Sequence, residues 1–134
     1  MQFEQFIERN IRTLSGGEQQ AVHIARALIQ VWQDKCYTEP RFVLMDEPTS
    51  SLDLAQEMKI LKILQKEVNK GMGALIIFHD LNLAAHVSDR IAILSAGEIV
   101  AFGSPKEVMT AELLGSVFGV KMTVSNKPFR ISYF

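Results

Sequence analysis

The pair Asp46-Glu47, set directly after the apolar run Phe42-Val43-Leu44-Met45, is the strongest local chemical signal in this chain. A strand emerging from a core delivers its last side chains to one point at the carboxyl edge of a sheet, where ligands of open α/β folds bind. One carboxylate there can hold a magnesium ion, and a neighbouring glutamate can polarise a water for in-line attack on phosphorus. The plainer alternative is that Asp46 caps the turn ahead of Pro48. The four hydrophobes before it and Pro48-Thr49-Ser50-Ser51-Leu52-Asp53 after it favour the chemistry.

Ser15-Gly16-Gly17 opens a helix and forms a second candidate site. Helix N-termini present unpaired N–H groups and a positive dipole end, and glycines allow close backbone approach to a phosphate. A structural cap alone does not need two glycines, each weakening a helix interior by up to about 1 kcal/mol against alanine. Both are therefore expected to serve a ligand. Asp53 stands one residue before a helix with Gln56 three further on, a spacing that also suits simple capping. His79 follows the apolar run Ala74–Phe78, so its ring is expected at the sheet's carboxyl edge beside Asp46 and Glu47. His23 and His86 read as helix-surface residues, and no C-x-x-C or H-x-x-x-H spacing suggests a metal cluster.

The elements that must position these residues follow from periodicity. Ser15 and Glu18 have capping-box spacing, and Ala21, Ile24, Ala25, Leu28 and Trp32 form a helical stripe. Residues 33–41 read as a connecting loop. Phe42–Met45 and Ala74–Phe78 read as strands covered on both faces. Between them Leu54, Met58, Leu61, Leu64 and Val68 mark a helix ended by Lys70 and Gly71. A short helix over Leu81–Val87 is followed by a hairpin of Ile91–Leu94 and Ile99–Phe102. Ser104-Pro105-Lys106-Glu107 combines a cap, a proline at the first helical position and a reciprocal glutamate. A last helix begins after Thr110 and stops near Gly119, and the tail shows only an isolated apolar alternation. Strands alternating with helices indicate an α/β fold with parallel strands.

Composition narrows the function classes. The 134 residues are 48% apolar and 22% charged, with a net charge of −1 and a pI near 6.3. No global basic field recruits nucleic acid. The longest apolar run is far short of the roughly 20 residues a membrane helix needs. The lone Cys36 excludes an internal disulfide and suits a reducing cytoplasm. A soluble intracellular protein is expected, with any membrane association made through a partner.

Four pieces in order, Leu14–Gln20, Phe42–Glu47, Ser51-Leu52-Asp53 and His79, resemble the signature motif, Walker B, D-loop and switch histidine of the ATP-binding cassette (ABC) ATPases. The likeness runs from about Arg12 to Gly119. It implies that Asp46 orders Mg2+ through water, that Glu47 is the general base, and that His79 contacts the γ-phosphate. It implies too that Ser15, Gly16 and Gly17 meet ATP held by a second subunit of a head-to-tail homodimer, with Asp53 communicating across that interface. The segments His79–Ala85 and Gly103–Val108 resemble importer ATPases for iron chelates, haem and cobalamin, and the extension Ile29–Trp32 leading to Pro40-Arg41-Phe42 is most similar to the haem importers. Implied partners are transmembrane permease subunits and, indirectly, a substrate-binding protein. The implied location is the cytoplasmic face of the plasma (inner) membrane, or the cytoplasm for the chain alone. Ala21 departs from the family, many members of which have arginine there.

No G-x-x-x-x-G-K-[ST] string occurs in the 134 residues, and no glycine is followed by lysine. The resemblance therefore implies that residues 1–134 form a partial ABC ATPase domain, an incomplete P-loop NTPase (RecA-like) fold without the P-loop strand and Q-loop. A truncated subunit or a remnant is expected, inactive by itself. Phe42–Met45 is expected to pair in parallel with Ala74–Phe78, with Ile91–Leu94 displaced by one strand position. The sheet should then show a gap, or collapse by pairing 74–78 with 91–94. A non-catalytic module that contributes only the signature and dimer surface is the rival reading. A DNA-repair or translation ABC protein is a third, disfavoured by the importer-like segment after His79.

Overall fold

The computed structural model describes residues 10–31 and 39–133, and the chain divides into two compact units, Met1–Ile77 and Phe78–Phe134. Trp32, Cys36 and most of the 33–41 loop lie outside the described residues.

In the first unit, a short 3-10 turn (Ile11–Thr13) leads into helix α1 (Gly16–Val31). Ser15 and Glu18 form the expected reciprocal cap. The Ser15 N–H and hydroxyl each donate to Glu18 Oε2 at 2.8 Å, and the Glu18 N–H donates back to Ser15 Oγ at 3.3 Å. Ile24 and Leu28 are buried, as the stripe requires, while His23 is exposed. Strand β1 (Arg41–Asp46) pairs in parallel with β2 (Met72–Ile77), with Val43 opposite Ala74 and Asp46 opposite Ile77. Helix α2 (Leu54–Val68) joins them by the crossover that parallel strands demand. Its buried side is Ile60, Leu61, Leu64 and Glu67, so the stripe begins one turn later than Leu54, which is 72% exposed. The Glu67 carboxylate is paired with Lys70 at 2.7 Å, and Gly71 at φ +96° ends the helix segment.

The expectation that both strands are covered on two faces fails. Alternation places Val43, Met45 and Met72 inward, whereas Phe42 and Leu44 on β1 and Leu75 and Ile77 on β2 are exposed. Continuous apolar sequence reports what a strand can bury, not how many layers are present to bury it. Phe42 lies against Gly73 on that open face, where an added Cβ would clash with the ring edge at Cδ1 and Cε1.

The second unit contains α3 (Leu81–Val87) and a hairpin of β3 (Ile91–Ser95) and β4 (Glu98–Gly103). It continues with α4 (Pro105–Val108), α5 (Ala111–Phe118) and a second hairpin of β5 (Met122–Asn126) and β6 (Phe129–Tyr133). Ala96 and Gly97, at φ 51° and 85°, make the mirror-image turn that matches strand twist in a two-residue hairpin. Thr110 caps α5 and Gly119 ends it in the left-handed conformation. Ala84, Ile91, Ile93, Val108, Met109, Leu114, Met122 and Ile131 form one core. The tail is therefore a structural hairpin docked on that core, where the sequence shows only an apolar alternation. Its turn residues, Lys127 and Pro128, are not among the Asn-Gly types that announce a hairpin.

The described strands make three two-stranded sheets, β1–β2, β3–β4 and β5–β6. The parallel pairing of β1 with β2 is as expected, with Phe42 opposite Gly73 and Met45 opposite Ile76, and no described strand pairs 74–77 with 91–94.

Candidate functional site

Asp46 is the last residue of β1 and is exposed at the carboxyl end of the parallel pair. Glu47 extends the ladder by one bond, its N–H donating to the Ile77 carbonyl at 3.1 Å. Its φ of 44° then turns the chain sharply. A left-handed conformation at a non-glycine residue costs roughly 1–2 kcal/mol, and such strain is concentrated where a side chain must be aimed. Beyond it the Ser50 N–H and hydroxyl both donate to the Glu47 carbonyl, at 3.3 and 3.1 Å, and Leu52 N–H donates to Thr49 O at 3.0 Å. Buried Pro48 and Thr49 anchor this turn. Glu47 is thus held between a strand ladder and a bonded turn, which is how a strained residue is maintained.

Asp53 caps α2, its Oδ1 accepting from the Gln56 N–H at 2.9 Å. The capping alternative weighed for this residue is present in the structure, and interface communication would have to be a second role.

The two glycines of α1 separate. A Cβ at Gly16 meets nothing within 4 Å, whereas one at Gly17 would lie 3.0 Å from the Ser51 carbonyl oxygen and 3.4 Å from Gln56 Oε1. Gly17 therefore has a packing reason that sequence reasoning missed: it lets the start of α1 close on the turn before α2. Gln20 adds a second tie, its Nε2 donating to the Pro48 carbonyl at 3.2 Å. At Gly16 no such packing reason exists. The signal for Gln20 was its place in the same run, Leu14–Gln20.

The structure thus brings Ser15–Gly17, Glu47–Ser51 and Asp53 together in the first unit. His79 belongs to the second unit, immediately ahead of Asp80, which caps α3 by accepting from the N–H groups of Asn82 and Leu83 at 2.8 and 3.0 Å. His86 is exposed at the other end of α3.

No group of three His, Cys, Asp or Glu side chains able to hold a metal occurs among the described residues. Magnesium is ordinarily bound by one or two carboxylates together with phosphate oxygens and water. Asp46 and Glu47 match that donor set and fit an ion arriving with a nucleotide. No described helix is long and apolar enough to cross a membrane.

Comparison with known proteins adds an independent line. The family model described as ABC transporter matches residues 1–50. The hemin import ATP-binding protein HmuV of Rhodopseudomonas palustris is 44% identical over 122 residues, covering 91% of this chain and 46% of that protein. Its counterpart in Roseobacter denitrificans is 41% identical over 123 residues, covering 92% and 47%. The chain spans about half the length of the curated relatives it matches. Among solved structures, an inward-facing transporter described as of the metal-chelate ABC type superposes with a TM-score of 0.74. It is 25% identical, covering 99% of this chain and 51% of that one. An ATP-binding cassette dimer in a post-hydrolysis state with ADP and Pi gives 0.64, at 34% identity over 76% of this chain and 40% of that one.

Proposed function

From the kinship of this chain with the ATP-binding proteins of ABC transporters, we propose that it is the signature and Walker B portion of the ATPase of an importer for haem or a related iron complex. The observation that carries this reading is the acidic pair at the end of β1. Asp46 completes the ladder opposite Ile77, and Glu47 is held at φ 44° beyond it. Bound ATP and Mg2+ supply the phosphoryl group and the charge that offsets its transfer. Asp46 would hold the ion. Glu47 accepts the proton of the attacking water, and its constrained backbone limits the places its carboxylate can reach. Ser15, Gly16 and Gly17 meet ATP carried by a second subunit at the start of α1, where helix N–H groups and a positive dipole end favour phosphate. The Ser15 hydroxyl, which donates to Glu18 in the nucleotide-free chain, would be available to a phosphate oxygen there. His79 contacts the γ-phosphate and Asp53 lies at the subunit interface. The partners are a second ATPase subunit, head to tail, and the permease at the cytoplasmic face of the membrane.

The test is Glu47→Gln in the longest polypeptide that carries this sequence, assembled with its permease. The amide keeps shape and cannot accept the proton, and positioned base catalysis is worth about 10²–10⁴-fold. Hydrolysis should fall by that factor with ATP binding retained, and a wild-type rate removes Glu47 from the role. The 134 residues alone contain no string that cradles phosphates through backbone N–H groups and a lysine. Calorimetry with Mg-ATP on this chain should therefore show no micromolar binding, and a micromolar isotherm overturns the composite-site reading.

A further inference from the structure

Asn82 makes a two-pronged bond to one residue 49 positions away. Its Oδ1 accepts the Ile131 N–H at 2.8 Å and its Nδ2 donates to the Ile131 carbonyl at 3.0 Å. Ile131 is buried in the core of the second unit at 3% exposure and stands opposite Val124 in the tail hairpin. In an antiparallel pair, the N–H and C=O of a residue point together toward the partner strand or together away from it. Those of Ile131 point away from β5, to the free edge of β6, and the amide of Asn82 takes the place of a missing strand there. Only a primary amide presents one donor and one acceptor in this geometry on so short a stem.

The other end of the same residue is tied to the segment that holds the candidate histidine. The Asn82 backbone N–H is one of the two donors that Asp80 accepts, at 2.8 Å, and Asp80 directly follows His79. Four residues, 79–82, are therefore spanned by a cap at one end and an amide clamp to β6 at the other.

We propose that Asn82 is a positioning residue that fixes the His79 segment on the C-terminal hairpin. The tail thereby sets the place and order of the histidine ring. The consequence for hydrolysis rests on the reading of His79 as a γ-phosphate contact. The clamp itself does not, because it is read on the nucleotide-free chain.

The experiment follows the imidazole ring signals of His79 and His86 by NMR in the 134-residue chain, with amide exchange over residues 79–83. Asn82→Ala deletes both prongs. Asn82→Asp is isosteric, keeps the acceptor and sets a carboxylate oxygen against the Ile131 carbonyl. Both variants should shift or broaden the His79 ring signals and accelerate exchange at residues 80–83 by about tenfold, the effect of losing one to two such bonds. His86, at the far end of α3, should hold its signals. Unchanged His79 signals overturn the proposal, as does equal loosening of His79 and His86, which would mean that Asn82 only supports the fold. Should Asn82→Ala fail to fold, Asn82→Asp alone decides between these outcomes.

Discussion

Replacing the two glycines of α1 by alanine, one at a time, should move stability in opposite directions. Alanine is favoured over glycine in a helix interior by roughly 0.8–1 kcal/mol, less in a first turn. At Gly16 nothing opposes this gain, because an added Cβ meets no atom within 4 Å. At Gly17 the Cβ would stand 3.0 Å from the Ser51 carbonyl oxygen, with Gln56 Oε1 at 3.4 Å and Leu52 Cδ2 at 3.6 Å. The Gln56 amide can swing aside. The Ser51 carbonyl cannot move without disturbing the turn that runs from the strained Glu47 to the Asp53 cap. Overpacking of this kind typically costs about 1–3 kcal/mol, which outweighs the helical gain. Gly16→Ala should thus stabilise the chain by up to about 0.5 kcal/mol and Gly17→Ala destabilise it by about 1–2 kcal/mol. Urea unfolding followed by far-ultraviolet circular dichroism resolves the difference as midpoints displaced in opposite senses, by several tenths of a molar for Gly17→Ala. In the assembled ATPase, Gly16→Ala should impair hydrolysis without loss of stability, so packing and ligand contact become separable. Midpoints displaced in the same direction would refute the assignment of Gly17 to packing.

The remaining expectations concern the caps. Asp53→Ala should cost about 1 kcal/mol through the lost bond to the Gln56 N–H, while Asp53→Asn, an equally good cap, should cost little. If Asp53→Asn nonetheless impairs hydrolysis in the assembled enzyme, the carboxylate has an interface role beyond capping, and if Asn restores activity fully it has none. Glu107 is held below its ordinary value of 4.5, first by the Ser104 hydroxyl, then by the Ser104 N–H, with Arg90 adding a smaller attraction. A depressed folded value means that its contribution is present above 4.5 and disappears as pH falls through the lower, folded one. Acid unfolding of Glu107→Gln should accordingly lack that part of the pH dependence, and superimposable profiles would remove the cap from the acid response.

Elements whose signals are local were readable from the chain. The capping box at Ser15 and Glu18, the helix at Leu81–Val87 and the turn at Ala96-Gly97 each depend on residues within a few positions of one another. The parallel partnership of β1 and β2 was legible only through the family resemblance, which pairs the Walker B strand with the one before the switch histidine. What was hidden depends on contacts distant in sequence. The packing role of Gly17 was hidden because its partner, Ser51, is 34 positions away. The tail hairpin was missed because its reasons to fold, the Leu114 and Ile131 packing and the Asn82 clamp, lie on other elements. The burial of Glu67 beside Lys70 ran against polarity and had no pattern to announce it.

Phe42, Leu44 and Asp46 alternate onto one side of β1, so the acid sits on the same face as the two exposed hydrophobes. Any layer that covers Phe42 and Leu44 draws the neighbouring carboxylate out of water in the same motion. Withdrawing an ionised carboxylate from solvent is costly unless a cation or hydrogen-bond donors replace the lost hydration. A metal-bearing ligand at Asp46 would offset that cost and would favour closure of the apolar face beside it. Ion capture at Asp46 and burial of the apolar face beside it are on this geometry thermodynamically linked: each favours the other by the same factor.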